Sequence, residues 1–206
     1  MKGNIVLASR SPRRLELLAR IGVTADVRPA DIDESPRPGE SPPATALRLA
    51  EAKARSVRAD DHVVLAADTI VSVADQQLGK PTDDDDASRM LRLLAGRTHE
   101  VTTAVAVLDG GRVRTQLSTT HVRFRQLTDD EVGWYVASGE WRDKAGAYAL
   151  QGRAAAFVES IHGSHTNVIG LPLDIVVHLL RDAGCTLLAP DHDGPPTLAG
   201  RGEDEA

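Results

Sequence analysis

The chain has 206 residues, of which 41% are hydrophobic and 26% are charged, and its formal net charge is −6. This composition is typical of a water-soluble globular protein, and the length suits one large domain. The acidic balance and an aromatic content of 3% argue against a dedicated nucleic-acid binder. No apolar run approaches the roughly 20 residues that span a bilayer. One cysteine, Cys185, cannot form an intrachain disulfide, so we expect a cytoplasmic protein.

The chain opens with a predicted strand, a sharp turn and a helix. The run from Ile5 to Ala8 is short and apolar, as is typical of a strand buried on both faces. Ser11 suits the N-cap of the next helix, and Pro12 suits its first position, where a missing N–H costs nothing. We expect this helix to reach about Ile21. Its apolar side is predicted to consist of Leu15, Leu18 and Ile21, with Leu17 beside them.

The turn before this helix is basic. Arg10, Arg13 and Arg14 lie near a helix N-terminus, where their charges oppose the helix dipole. A bound polyanion would remove this conflict and would use the free N–H groups of the turn. The pattern predicts a phosphate site, although a solvated basic turn would have the same composition.

A second strand is predicted at 23–28, and a long loop follows it at 29–43. The loop is rich in proline, serine and acidic residues, and it carries Asp31, Asp33 and Glu34. Long loops in compact domains are usually functional or disordered. Two interpretations therefore stay open, a functional loop and a solvated linker.

The next helix and strand supply a lysine and a buried carboxylate. The helix begins at Ser41 or Thr45 and carries Lys53, which alone is no more than a surface lysine. The apolar run from Val63 to Ala67 predicts a central strand, which ends in Asp68. A carboxylate at the end of a buried strand is costly unless it is paired, metal-bound or catalytic. Asp68 is therefore a candidate functional residue.

The rest of the chain alternates between helical and strand patterns. Gly79 and Lys80 could approach a phosphate, but the spacing of a Walker A loop is absent. The predicted elements are a turn at 75–77, a helix after the four aspartates at 83–86, a hairpin of strands at 98–108 and 113–124, a helix opened by a capping box at Thr128, a strand at 154–161, a turn at 162–167, a helix from Pro172 to Arg181 and a disordered tail at 190–206. This order predicts an α/β fold with a mixed sheet and one domain at 1–189.

The candidate residues combine cations with a few carboxylates. Phosphoryl and nucleotidyl chemistry uses this mixture, because cations stabilise phosphate charge while carboxylates hold a divalent metal or activate water. The candidates are Ser9, Ser11, Arg13, Arg14, Glu34, Lys53, Asp68, Lys80, Lys144 and Gln151.

Nine short motifs extend this set along nearly the whole chain. They are Leu7 to Arg14, Asp31 to Glu34, Ala52 to Ala54, Ala66 to Thr69, Gly79 to Pro81, Thr98 to Val101, Asp143 to Tyr148, Leu150 to Gly152 and Asn167 to Pro172. In this order they resemble the Maf family of nucleoside triphosphate pyrophosphatases. The resemblance implies a two-lobed α/β fold around a cleft, similar to inosine triphosphate pyrophosphatases. It also implies hydrolysis of a nucleoside triphosphate to the monophosphate and pyrophosphate with Mg²⁺ or Mn²⁺, and a homodimer.

The resemblance further implies roles for individual residues. The catalytic residues are Asp68, Glu34 and Lys80, with Asp68 as proton acceptor and with Glu34 and Asp68 holding the metal. The implied substrate-binding residues are Ser9, Ser11, Arg13, Arg14, Lys53, Thr69, Lys144 and Gln151. The motifs at Asp68 and Gln151 resemble the branch that acts on dTTP and UTP, and we expect Thr69 and Gln151, assisted by Arg14, to select the base. The alternative is a nucleotide-binding regulator of cell division that does not require turnover.

Overall fold

The computed structural model describes residues 4–35, 37–57, 62–74 and 76–187, and the predicted tail at 190–206 lies outside them. No helix in these ranges is long and apolar enough to cross a membrane. In chain order the elements are β1 Ile5–Leu7, α1 Pro12–Arg20, β2 Ala25–Val27, α2 Pro42–Ser56, β3 Val63–Val73, β4 Gln76–Leu78, α3 Asp84–Leu94, β5 Thr98–Asp109, β6 Arg112–Phe124, α4 Asp129–Ala137, two 3₁₀ helices at Ala145–Ala147 and Arg153–Phe157, β7 Val158–His162, α5 His165–Ile169 and α6 Leu173–Asp182.

One mixed sheet of seven strands organises these elements. Its strand order is β2-β1-β3-β5-β6-β7, and β4 pairs with the end of β3. Strand β1 is parallel to β2 and β3, whereas the other pairs are antiparallel. The predicted α/β class with a mixed sheet is therefore confirmed.

Strand β3 sends alternate side chains to the two faces of the sheet. Leu65 and Ala67 pack in the cluster that contains the apolar residues of α1 and α6. Val64 and Ala66 pack on the other face, against the alanines of α2. Successive residues of a strand point to opposite faces. The Asp68 side chain therefore lies on the face that packs against α2, and the Thr69 side chain lies on the face that packs against α1. Strand β3 continues to Val73, so Asp68 lies in the middle of the strand and not at its end. Two consecutive residues at mid-strand thus present polar side chains to both faces.

The buried side of α1 differs from the predicted one. Leu17 and Leu18 are buried, but Leu15 is 38% exposed. The remaining buried position of the helix is Arg14. The prediction was wrong because it assigned only apolar residues to the inner face, whereas a buried cation with polar partners occupies part of it.

Three other local predictions were wrong. Two residues of the predicted turn at 75–77, Gln76 and Gln77, belong to strand β4, because they pair antiparallel with β3, and residue 75 lies outside the described residues. The predicted strand at 154–161 is a 3₁₀ helix followed by β7, since a short apolar run does not distinguish helix from strand. The predicted turn at 162–167 contains the first residues of α5, whose N-cap Ser164 accepts from the Asn167 N–H at 3.3 Å.

The segment from Tyr148 to Gln151 is held by hydrogen bonds that involve the hydroxyl groups of two buried tyrosines, Tyr135 and Tyr148. The Tyr148 hydroxyl bonds His99 Nε2 at 2.8 Å, and the Ala149 N–H donates to the Tyr135 hydroxyl at 3.0 Å. Burial lowers the pKa of His99 to about 4, so its imidazole is neutral at pH 7. The segment is therefore fixed by neutral, buried hydrogen bonds.

We expect Tyr135→Phe to lower the free energy of unfolding by about 1–3 kcal/mol, because it leaves the Ala149 N–H without its buried acceptor. Urea unfolding monitored by circular dichroism measures this change. Trp134→Phe is the control, since Trp134 is exposed and surface substitutions usually change stability by about 0.5 kcal/mol or less. Equal stability of the two variants would show that the Tyr135 hydroxyl does not hold the segment.

Candidate active site

One cleft brings the predicted site residues together. Its volume is about 910 Å³, and it lies where the turn before α1, the middle of β3 and the segment after α4 meet. Its lining includes Ser9, Ser11, Arg13, Arg14, Glu34, Lys53, Asp68, Thr69, Lys80, Lys144 and Gln151. The sequence motifs are thus neighbours in space, although they are spread over more than half of the chain.

Arg14 is the buried centre of this cleft, with 9% of its surface exposed. Its Nη1 donates to the Ala67 carbonyl at 2.7 Å and to Ser9 Oγ at 3.1 Å. Its Nε donates to the Gly170 carbonyl at 2.8 Å, and its Nη2 donates to Thr69 Oγ1 at 3.2 Å. These bonds use most of the five guanidinium donors. Arg14 therefore acts first as a structural tie between three chain segments.

Ser9 is oriented by two donors. Its Oγ accepts from Arg14 Nη1 and from the Ser11 N–H, at 3.1 and 3.2 Å. A hydroxyl has two acceptor lone pairs and one proton. With both lone pairs used, Ser9 has a proton left to donate into the cleft. Such a donor suits a phosphate oxygen.

Lys53 links the two candidate carboxylates. Its Nζ lies 2.6 Å from Asp68 Oδ1 and 2.8 Å from Glu34 Oε1. Lys53 and Asp68 are both buried, whereas Glu34 is about half exposed. The alanine-rich face of helix α2 packs against β3 and brings Lys53 over the middle of that strand, where Asp68 lies.

The two carboxylates have opposite pKa shifts. Burial raises the pKa of Asp68 above its usual value, and the charges of Lys53 and Arg14 offset only part of this effect. Burial also raises the pKa of Glu34, but the hydrogen bond and charge of Lys53, together with Lys80, lower it below its usual value. Asp68 is consequently the stronger base of the pair.

The loop that carries Glu34 is anchored by an ion pair to α2. Arg48 binds Glu40 with both nitrogens, from Nε at 2.8 Å and from Nη2 at 2.7 Å. Nη2 also donates to the Ser35 carbonyl at 3.3 Å. Two parallel bonds between a guanidinium and a carboxylate fix geometry as well as charge. The loop is thus tied to the helix beside Glu34, which favours the functional interpretation over a solvated linker.

Five further cations line the cleft, and two of them, Arg10 and Arg142, lie 3.9 and 3.8 Å from exposed carboxylates. The other three are Arg13, Lys80 and Lys144. Within the described ranges, none of these three forms an ion pair with a carboxylate. Lys144 donates to the Arg142 carbonyl at 2.9 Å, and burial and the charge of Arg13 lower its pKa. These cations can therefore meet an anionic ligand without first losing an acidic partner.

Residues 4–183 match the family model described as Maf-like protein. The chain belongs to the Maf-like family. It is 52% identical over 191 residues to a dTTP/UTP pyrophosphatase of Anaeromyxobacter dehalogenans, covering 91% of this chain and 97% of the relative. It is 53% identical over 187 residues to a dTTP/UTP pyrophosphatase of Geobacter sulfurreducens, covering 89% and 98%.

A HAM1 protein from Coxiella burnetii has a similar fold, with a TM-score of 0.50 and 16% sequence identity. The alignment covers 87% of this chain and 99% of that one. A likeness at this identity concerns the fold alone, and it agrees with the α/β class of the Maf-like chain.

The Maf-like site offers few ligands for a metal of its own. In the described part of the chain, no three His, Cys, Asp or Glu residues form a cluster that could hold a metal ion. Two carboxylates, Glu34 and Asp68, do meet at Lys53. Mg²⁺ is commonly bound by one or two carboxylates together with substrate phosphates. The donors present thus fit a metal that binds together with a nucleotide.

Thr103, which bonds Thr69 from the neighbouring strand at 2.9 Å, is not among the residues predicted from the sequence. Gly170, whose carbonyl accepts from Arg14, lay in a recognised motif but received no role. A signal for Thr103 existed, because two consecutive threonines interrupt an otherwise apolar strand at 101–107. Polar residues inside a buried strand need partners, and those partners lie at the site.

We expect Lys53→Met to raise the pKa of Asp68 further, because the lysine charge stabilises the ionised carboxylate. Titration of the aspartate carboxyl carbons by NMR measures this shift. The control is Lys80→Met, which removes an exposed cation whose charge acts on Glu34. An Asp68 pKa that is unchanged by Lys53→Met would mean that Lys53 does not stabilise the ionised form.

Proposed function

We propose that this chain hydrolyses dTTP and UTP to the nucleoside monophosphate and pyrophosphate. Support comes from the dTTP/UTP pyrophosphatases of which it is a close relative. The observation that carries the proposal is Asp68, a buried carboxylate with a raised pKa that faces a cleft lined by cations. This combination suits a reaction in which a base activates water beside phosphate groups.

In the proposed reaction, Asp68 accepts a proton from a water molecule. The water oxygen attacks the α-phosphorus, the bond from that phosphorus to the bridging oxygen breaks, and pyrophosphate leaves. A raised pKa makes the ionised form of Asp68 a better proton acceptor than an ordinary aspartate. Lys53, at 2.6 Å, holds the carboxylate in place and keeps its negative charge stable.

The cations of the cleft bind the triphosphate in this proposal. Arg13, Lys80 and Lys144 can each donate to phosphate oxygens, and charge-assisted hydrogen bonds are about twice as strong as neutral ones. Ser9 donates its remaining proton to the same anion. Most N–H donors of Arg14 bond to protein acceptors, so Arg14 acts on the triphosphate through its positive charge and not through direct hydrogen bonds.

Glu34 and Asp68 would hold the divalent cation, Mg²⁺ or Mn²⁺, that we propose as cofactor. When bound, such a cation supplies neutralisation of charge on the phosphate oxygens. Both carboxylates bond Lys53 here, and each has a second oxygen that this lysine does not contact. Because Glu34 is half exposed, it can adjust its position when a metal–nucleotide complex enters.

The alternative is a nucleotide-binding regulator of cell division that keeps the cleft without turnover. The burial of Asp68 argues against it, because a binding protein gains nothing from a desolvated carboxylate near anionic phosphates. The homodimer, the cytoplasmic location and the single domain at 1–189 remain predictions from the sequence.

The proposal is tested by incubating the full chain with dTTP, UTP, CTP, GTP and ATP, with Mg²⁺ or Mn²⁺. We expect release of pyrophosphate and monophosphate, fastest from dTTP and UTP. The assay must distinguish pyrophosphate from orthophosphate, because an enzyme that removes single phosphates one after another catalyses a different reaction. Tight nucleotide binding without product would instead favour the regulator.

We expect Asp68→Asn to lower kcat by roughly 10²–10⁴-fold, which is the usual contribution of a general base. Nucleotide affinity should persist, since phosphate binding is assigned to other residues. Steady-state kinetics and calorimetric titration on one preparation measure both quantities. Asp129→Asn, an exposed carboxylate on α4, is the matched control and should retain the parental kcat. A folded Asp68→Asn protein with near-parental kcat would contradict the mechanism.

A further inference from the structure

A chain of hydrogen bonds runs from Arg14 through two threonines to a backbone carbonyl. Arg14 Nη2 donates to Thr69 Oγ1 at 3.2 Å. Thr69 Oγ1 lies 2.9 Å from Thr103 Oγ1, its direct partner on the neighbouring strand β5. Thr103 Oγ1 in turn donates to the Asn167 carbonyl at 3.2 Å.

The direction of every bond in this chain follows from simple chemistry. A guanidinium and a backbone carbonyl can serve only as donor and as acceptor, respectively. The single proton of Thr103 therefore goes to the Asn167 carbonyl. Between the two hydroxyls, Thr69 must then be the donor and Thr103 the acceptor. The proton of Thr69 consequently points into the protein.

The acceptor at the end of this chain is held firmly. The Asn167 side chain donates from Nδ2 to the Val101 carbonyl and to Thr120 Oγ1, both at 2.9 Å. Asn167 is fully buried, and Thr103 is also fully buried. The Asn167 carbonyl also accepts from the Gly170 N–H at 2.9 Å. If the two hydroxyls reversed, Thr103 would donate to Thr69 and this carbonyl would lose one of its two donors. The three contacts of the chain are all hydrogen bonds only when Thr69 donates to Thr103.

The Thr69 hydroxyl therefore faces the cleft with a lone pair. One of its lone pairs accepts from Arg14, and its proton goes to Thr103. The remaining lone pair of Thr69 can accept a hydrogen bond from a ligand. Ser9, whose Oγ is bonded to the same guanidinium, instead keeps a proton to donate. An ionised phosphate has no proton to give to Thr69. The group that meets Thr69 must carry an N–H or an O–H.

We propose that Thr103 controls base selection by fixing the direction of the Thr69 hydroxyl, so that Thr69, which the family resemblance already assigns to base selection, accepts the N3–H of uracil or thymine. This inference rests on the proposed function and specifies how its site distinguishes bases. Cytosine has a bare lone pair at N3, which would face the lone pair of Thr69. Thr103 is a positioning residue, because it acts through Thr69 and does not line the cleft.

Gln151 cannot supply the same discrimination alone. It lines the cleft and is exposed, and its amide carries a donor and an acceptor at nearly equivalent positions. Rotation of that amide would let it pair with the oxygen of uracil or with the amino group of cytosine. The Thr69 hydroxyl cannot exchange donor and acceptor in this way, because its proton is bonded to Thr103. A pocket that hydrogen-bonds its ligand in one direction rejects analogues strongly.

The absence of a side chain at Gly170 keeps this hydroxyl accessible. A Cβ atom at this position would lie 3.3 Å from Thr69 Oγ1 and within 3.8 Å of the Arg14 guanidinium. The backbone there has a φ of +117°, which glycine adopts at little cost. The same glycine supplies the carbonyl that holds Arg14 Nε.

The test is Thr103→Val, which keeps the shape of the residue and removes the acceptor for the Thr69 proton. The Thr69 hydroxyl can then turn outward and donate to cytosine N3. We expect the ratio of kcat/KM for UTP to kcat/KM for CTP to fall about tenfold, the factor that one hydrogen bond supplies. The change should lie mainly in KM, since Asp68 and its lysine are untouched.

Two variants control this measurement. Thr103→Ser restores the hydroxyl and should restore the parental ratio. Thr102→Val removes a similarly buried hydroxyl on the same strand, which pairs with Thr119 at 3.0 Å, and should leave the ratio unchanged. Melting temperatures of the three variants show whether each folds. If Thr103→Val does not fold, Thr69→Val tests the same acceptor directly, because it removes the Thr69 hydroxyl and must lower the ratio as well. An unchanged ratio in a folded Thr69→Val variant would overturn the inference.

The outcomes separate this inference from the proposed function. A parental enzyme that releases no pyrophosphate from UTP would overturn the proposed function itself. An active Thr103→Val variant with the parental ratio would overturn only the role of Thr69 and Thr103. An equal fall for UTP and CTP would also overturn it, since that result would place a ribose hydroxyl at Thr69.

Discussion

The site depends on one buried guanidinium. Arg14 joins the turn before α1, the middle of β3 and the loop before α6 through hydrogen bonds to Ser9, Ala67, Thr69 and Gly170. Burying a cation is costly unless its donors are satisfied and a counter-charge lies near. Burial does lower the pKa of Arg14, and the charge of Asp68 opposes that effect. The cation and the candidate base thus stabilise each other across the strand.

This arrangement divides the positive charges of the cleft into two groups. Arg14 and Lys53 are buried and committed to protein acceptors, so they set geometry and pKa. Arg13, Lys80 and Lys144 are more exposed and lack acidic partners in the described ranges, so they remain available to a ligand. The two groups cannot be told apart from composition, because both appear in the sequence as basic residues near turns.

Most helices and strands, and the residues that line the cleft, could be predicted from the sequence. Strand and helix patterns are local, and each motif is a short run of consecutive residues. The sequence-based prediction assigned Arg14 to phosphate binding, although its four hydrogen bonds go to partners as distant in sequence as Gly170. It also missed Thr103, whose role comes from cross-strand pairing with Thr69. The direction of a hydrogen bond depends on every group around it, and no local pattern contains that information.

The register of β3 determines which residue serves as the candidate general base and which contacts the nucleotide base. Asp68 and Thr69 are consecutive, so they point to opposite faces, one toward Lys53 and the other toward Arg14. A shift of one residue would exchange them, placing a threonine beside Lys53 and a carboxylate beside Thr103. Nine cross-strand pairs with β5, from Val64 to Ser72, oppose such a shift. It would also exchange the residues that pack against α1 and α6 with those that pack against α2. The long apolar strand is therefore what assigns the base and the acceptor to their separate roles.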